Sequence, residues 1–124
     1  MRRINPEWIV YDYAEEEWRT SSQAYQPHAR SRKMSMTCCD QFPNFDAALE
    51  AVLAGLDGYG VVGVTFSDLE EIGDLTVHRD PLPHDAGHVL VEGTRKKSRQ
   101  RALSRVARWI LNPKEGEPPP NIGL

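Results

Sequence analysis

His88-Val89-Leu90-Val91-Glu92, then Gly93-Thr94, then the run from Arg95 through Lys97, Arg101, Leu103, Arg105 and Arg108 to Leu111 decides the fold class, because one structural habit gives way to another within it. Residues 88–92 carry the β-branched, apolar composition of a strand. Gly93-Thr94 reads as a turn. Beyond it the spacing predicts a helix from about 95 to Leu111, capped by Thr94 or Ser98 and stopped by Asn112-Pro113. At ~100° per residue, Leu103, Val106, Ala107 and Ile110 fall on the side that faces the core. Lys97, Arg101, Arg105 and Arg108 fall on the opposite side and form a cationic stripe.

Working outward from this pair, the same alternation of elements recurs. Asn44 caps a helix whose Phe45, Ala48, Leu49, Val52, Leu53 and Leu56 share one face, and Gly55, Gly58 and Gly60 end it. Gly60–Phe66 is a strand with β-branched residues on both faces. Ser67 with Glu70 fits a capping box for a short helix over 68–73. Residues 74–78 alternate as a strand, and 79–87 form a Pro-rich loop. Toward the N-terminus, the Trp/Ile/Val/Tyr run within residues 4–13 favours a strand that starts after Pro6. Glu15-Glu16-Glu17 is an acidic turn. Residues 18–36 read as loop, with a short strand over Met34–Cys38. The sum is an α+β fold: a small mixed or antiparallel sheet with two main helices packed on it. Residues 1–112 form one domain, and 113–124, with three consecutive prolines, a flexible tail.

The chain has 124 residues and a formal net charge of −3. That length suits one domain. It holds no apolar run of the ~20 residues that span a bilayer, and Met1–Glu7 carries two arginines without an apolar stretch behind them. The reading is therefore cytoplasmic, with no membrane. Cys38 and Cys39 are adjacent, which disfavours a structural disulfide and suits a reducing compartment. The net charge conceals two opposed segments. Residues 40–92 hold eleven acidic side chains and one basic, Arg79; residues 93–112 hold seven basic and none acidic. A cationic stripe without carboxylates of its own on the helix points to an external anion or to the acidic middle. Lys97, Arg101, Arg105 and Arg108 are accordingly the candidates for partner or phosphate binding.

His78, Asp80, His84, Asp85 and His88 lie within eleven residues. Imidazole and carboxylate are metal ligands, and imidazole is an acid/base group near neutral pH. The candidate metal ligands are His78, His84 and His88; the candidate catalytic residues are His88 and Asp80 with Ser22 and Ser35. Against them, Pro83 and Gly87 flank and interrupt His84–His88, so the paired-histidine helix of metalloproteases is not formed. No cofactor fingerprint is present: the glycines at 55, 58, 60 and 63 match neither a phosphate loop nor a dinucleotide turn.

Ser21-Ser22-Gln23-Ala24-Tyr25, Lys33-Met34-Ser35-Met36, Val52 through Tyr59, Arg79-Asp80-Pro81-Leu82-Pro83, and His88 through Ser98 with Ala107-Arg108-Trp109 together resemble a group of short bacterial single-domain proteins of no established activity. The likeness spans about residues 3–113. This chain departs from it at Leu56-Asp57, where a histidine is common, and at Val89, where alanine is. The resemblance implies a bacterial origin and a single-domain unit and transfers no catalytic residue. It links Ser21, Ser22, Ser35 and His88, which with Asp80 form a polar pocket if the fold brings them together.

Three function classes follow. The leading one is a non-catalytic protein-binding or adaptor component, with an acidic protein partner or self-association. The second is a nucleic-acid-binding accessory protein using the basic C-terminal helix. The third is a small enzyme or metal site around His88 and Asp80. Exposure of the stripe decides between a binding role and a purely structural one.

Overall fold

The computed structural model describes residues 1–120. The strands are β1 (Arg2–Ile4), β2 (Ile9–Asp12), β3 (Glu17–Thr20), β4 (Lys33–Thr37), β5 (Gly60–Gly63), β6 (Thr76–Arg79), β7 (His88–Glu92) and β8 (Arg108–Leu111). The helices are α1 (Phe45–Leu53), α2 (Phe66–Ile72) and α3 (Lys97–Val106). Short 3₁₀ turns cover Pro6–Trp8, Ser22–Tyr25 and Cys39–Gln41. The fold is α+β, but the strands divide into three small antiparallel sheets where the sequence suggests one. These are β1-β5-β8, the β2-β3 hairpin, and β4-β7-β6.

The division has a packing cause. β5 lies in the middle of its sheet and is buried on both sides, as its β-branched residues require. Val62 joins the main core with Ile4, Tyr25, Met34, Val91 and Leu103. Val61 faces α1, with Ala48 and Val52. The β4-β7-β6 sheet gives Met34, Met36, Val89 and Val91 to the same main core. On its other face Ser35 stands across from Leu90, and Thr37 across from His88. Phe45 and Leu56, expected on the core face of the first helix, are exposed instead; α1 buries only Ala48 and Val52. The helix stops at Ala54, in the left-handed conformation at φ 50°.

The basic helix is shorter than its periodicity suggests. α3 ends at Val106, and Ala107 is extended, so Arg108–Leu111 pairs with β5 as an edge strand. Trp109 and Ile110 have strand-forming side chains, and β5 offers a free ladder edge that outweighs one more helical turn. Gly60 lets the two strands meet: a Cβ there would lie 2.8 Å from the Trp109 ring. Neither Thr94 nor Ser98 caps α3. Lys96 is the N-cap and offers no side-chain bond. The entry to the helix is held from within, by Gln100 Nε2 donating to Thr94 O at 2.8 Å and Arg99 Nη1 donating to Gly93 O at 2.8 Å.

α2 begins two residues earlier than expected. Thr65, not Ser67, is its cap, and the reciprocal partner is Asp68. The Thr65 amide, then its hydroxyl, hold the Asp68 carboxyl below its usual range, and Arg108 adds to the effect. A depressed folded-state pKa gives stability that is present at neutral pH and is lost as pH falls below the ordinary carboxylate value. Denaturation midpoints followed into acid should therefore fall more steeply for the native chain than for Asp68→Asn; parallel curves would refute this cap.

Residues 113–120, expected as free tail, lie against the hairpin: Trp18 Nε1 donates to Glu117 O at 3.1 Å and Tyr13 Oη to Pro120 O at 3.1 Å. The remainder of the tail, 121–124, falls outside the described residues.

Candidate arginine-lined cleft

α3 and β8 on one side and β3 with the Ser22–Tyr25 turn on the other enclose a cleft of about 780 Å³, open to solvent. That is within the usual range of ligand sites. Its two walls are tied together beneath the opening. Ser104 Oγ donates to Thr20 O at 2.7 Å, and Thr20 Oγ1 bonds the fully buried Tyr25 Oη at 2.8 Å. Trp109 Nε1 donates to Trp18 O at 3.0 Å. On the inner side Leu103 is completely buried. The cleft is thus a preformed feature of packed elements.

Arg101, Arg105 and Arg108 line this cleft together with Ser22, Trp18 and Trp109. Arg101 and Arg105 stand one helical turn apart on the solvent side of α3. Arg108 has left the helix for β8 and still reaches the same space. Lys97, the fourth member of the expected stripe, sits at the start of α3 and does not line the cleft. All four are exposed. Among the described residues none of them has a carboxylate within 4.0 Å. The acidic middle of the chain reaches the basic stretch with one ion pair, Asp74 to Arg99 at 3.3 Å. On the hairpin side Arg19 is paired with Asp12 at 3.2 Å. That pair and Glu17 also line the cleft, so its hairpin wall holds two carboxylates. The result is a trio of unpaired guanidiniums beside hydroxyls and two indoles. Guanidinium forks suit carboxylate or phosphate oxygens, and indoles suit apolar or planar groups.

The His/Asp loop forms a separate region. His88 Nδ1 lies 3.0 Å from Asp80 Oδ2 and 3.1 Å from Asp80 O. Two acceptors at Nδ1 call for a ring proton on that nitrogen. His78 Nε2 meets Glu92 Oε2 across the sheet at 2.8 Å. The buried Asp85 accepts from Thr37 Oγ1 at 2.5 Å and from the Gly87 amide at 3.1 Å, fastening the loop to β4. His84 is exposed and shares a shallow cavity of about 190 Å³ with Ser35, His88 and Arg3. Ser22 lines the arginine cleft instead. The serines that the sequence linked therefore lie in two cavities, and His88 has Ser35 but not Ser22 beside it. Among the described residues no three His, Cys, Asp or Glu side chains are grouped to hold a metal ion, and no helix is long and apolar enough to cross a membrane.

The arginines are legible in the sequence; their surroundings are not. Thr20, Trp18, Ser104 and Trp109 complete the cleft, and two of them come from a strand that was read as loop. The usable signal was the alternation Glu17-Trp18-Arg19-Thr20 after the acidic turn.

The comparisons with known proteins leave these residues to speak for themselves: no family model, no curated protein and no solved structure matches the chain.

Proposed function

We propose that this protein is a non-catalytic binding module that holds an acidic segment of a partner protein in the arginine cleft. The observation that carries the reading is that Arg101, Arg105 and Arg108 face one preformed cleft with no carboxylate of the described chain paired to them. Three guanidiniums without a direct carboxylate contact among the described residues are available to a ligand. A peptide of mixed acidic and apolar residues matches both parts of the wall, placing carboxylates on the guanidiniums and side chains on Trp18 and Trp109. A nucleic-acid backbone matches less well. A continuous line of phosphates would meet Glu17 on the hairpin side, and the rest of the molecule is acidic. The reading includes a cytoplasmic setting, supported by the adjacency of Cys38 and Cys39, and a bacterial source, supported by the resemblance in the sequence.

The test is a titration of a short Glu-rich peptide with interspersed leucines, alongside a single-stranded oligonucleotide of equal charge. The native chain should bind the peptide more tightly than the oligonucleotide. Arg101→Glu combined with Arg105→Glu should lower peptide affinity about 100-fold, each charge-assisted contact accounting for roughly tenfold. Both positions are exposed, so thermal stability should change little. Unchanged peptide affinity in the double variant would overturn the proposal. Tighter binding of the oligonucleotide, with a steep salt dependence, would transfer the cleft to nucleic acid.

A further inference from the structure

The β2-β3 hairpin carries a second feature, on its aromatic face, that shares Trp18 alone with the arginine cleft. Tyr11 and Tyr13 lie on one face of β2 and its extension, and Trp18 stands directly across from Tyr11 in the register. Tyr11 meets both other rings edge to face, with centroids 4.9 Å apart for Tyr11–Tyr13 and 5.3 Å for Tyr11–Trp18. Across this aromatic ladder runs Glu117-Pro118-Pro119-Pro120. Trp18 Nε1 donates to Glu117 O and Tyr13 Oη donates to Pro120 O, each at 3.1 Å. Lys114 sets its ammonium 5.6 Å from the Trp18 ring centre and pairs with Glu117 at 3.5 Å.

The chemistry of this contact is specific to proline-rich chain. A residue followed by proline is driven out of the helical region, so Glu117, Pro118 and Pro119 are confined to extended or polyproline II backbone. Polyproline II has three residues per turn. The carbonyls of residues 117 and 120, three apart, therefore point the same way, toward the same two ring donors. Proline has no amide hydrogen, so its carbonyl is the only backbone group a receptor can address. An indole N–H and a phenol O–H set among aromatic faces supply that address, which is the recurring mode of proline-rich recognition. Tyr13 is 51% exposed even with the tail in place, so the ladder is only partly covered.

We infer that this aromatic face is a recognition site for a proline-rich segment of a partner protein, and that the chain's own Glu117–Pro120 is its resident competitor. The tail leaves β8 only a few residues earlier, so its effective concentration at the site is of millimolar order. It masks the site against weak ligands and yields to stronger ones.

The probe is a capped synthetic peptide of consecutive prolines, titrated into full-length protein by following Trp fluorescence or a label on the peptide. The variant Pro118→Ser with Pro119→Ser and Pro120→Ser removes the competitor's preset backbone. It should bind the probe at least about tenfold more tightly than the native chain. Adding Tyr13→Phe, an exposed position outside the arginine cleft, should weaken that binding about fivefold through loss of one hydrogen bond. It should leave the affinity for the Glu-rich peptide unchanged, which separates this proposal from the one above. No binding to the triple variant, no gain over the native chain, or no effect of Tyr13→Phe would overturn it. A concentration-dependent dimer abolished by the triple variant would assign the ladder to the tail of a second copy and overturn the partner reading.

Discussion

Replacing Gly93 with alanine is expected to destabilise the fold by about 3 kcal/mol, from a backbone conformation foreign to alanine and a steric clash that each cost about 1–3 kcal/mol. Gly93 joins β7 to the approach of α3 with φ 107°, where L residues are rarely found. A Cβ at this position would stand 2.4 Å from Asp74 O, which is main chain and cannot rotate aside. The same turn is latched by Arg99, which donates to Gly93 O and pairs with Asp74. Moving Asp74 to admit a methyl group would loosen both. For a small domain of ordinary stability, about 5–15 kcal/mol, this is a large share. Urea unfolding should show the loss as a lower midpoint at unchanged slope. A cost below about 1 kcal/mol would mean that the turn is pliant and that α3 is not held by it.

Leu103→Ala should cost about 2–5 kcal/mol, the range for emptying a fully buried leucine site. Leu103 has no exposed surface and joins the main core beside Tyr25, Val62 and Val91. α3 has ten residues and no side-chain cap at its start, and helices under ~12–15 residues are marginal alone. Its packing, rather than its own propensity, keeps it in place. The substitution should therefore reduce affinity for the Glu-rich peptide as well as stability, because Arg101 and Arg105 ride on the helix. Arg101→Ala should do the reverse, weakening binding while unfolding midpoints stay within about 0.5 kcal/mol of the native value. A Leu103→Ala chain that keeps full stability would contradict the account of how the cleft is held.

The residues that announced themselves in the sequence are those whose environment is set locally. His88–Glu92 is a strand, as its composition suggests. Asn44 caps α1, accepting from the Ala47 amide at 2.8 Å. The cationic face of α3 was visible because helical periodicity depends on neighbours three and four residues away. What the sequence concealed depends on distant partners. Arg108–Leu111 continues the helical pattern in spacing, yet the free edge of β5, nearly fifty residues earlier, draws it into a ladder. Ser67 fits a cap by its spacing to Glu70, yet the chain enters α2 two residues earlier and Thr65 takes that place. The hairpin was split between a strand, a turn and a loop because Glu17–Thr20 is short and largely polar on its own. Only its pairing with Ile9–Asp12 makes it a wall of the cleft. The polar pocket suggested by Ser22, Ser35 and His88 failed for the same reason, since one strand's position put the serines in different cavities.

The central claim is that the arginine cleft is where an acidic partner segment binds. The most direct measurement is amide and indole chemical-shift mapping of the isotopically labelled full chain as the Glu-rich peptide is added. The account predicts shifts concentrated on residues 101–109 of α3 and β8, on Thr20, and on the indole N–H groups of Trp18 and Trp109, saturating with one peptide per chain. Shifts gathered on the His84–Leu90 face of the β4-β7-β6 sheet, or none at saturating peptide, would contradict it.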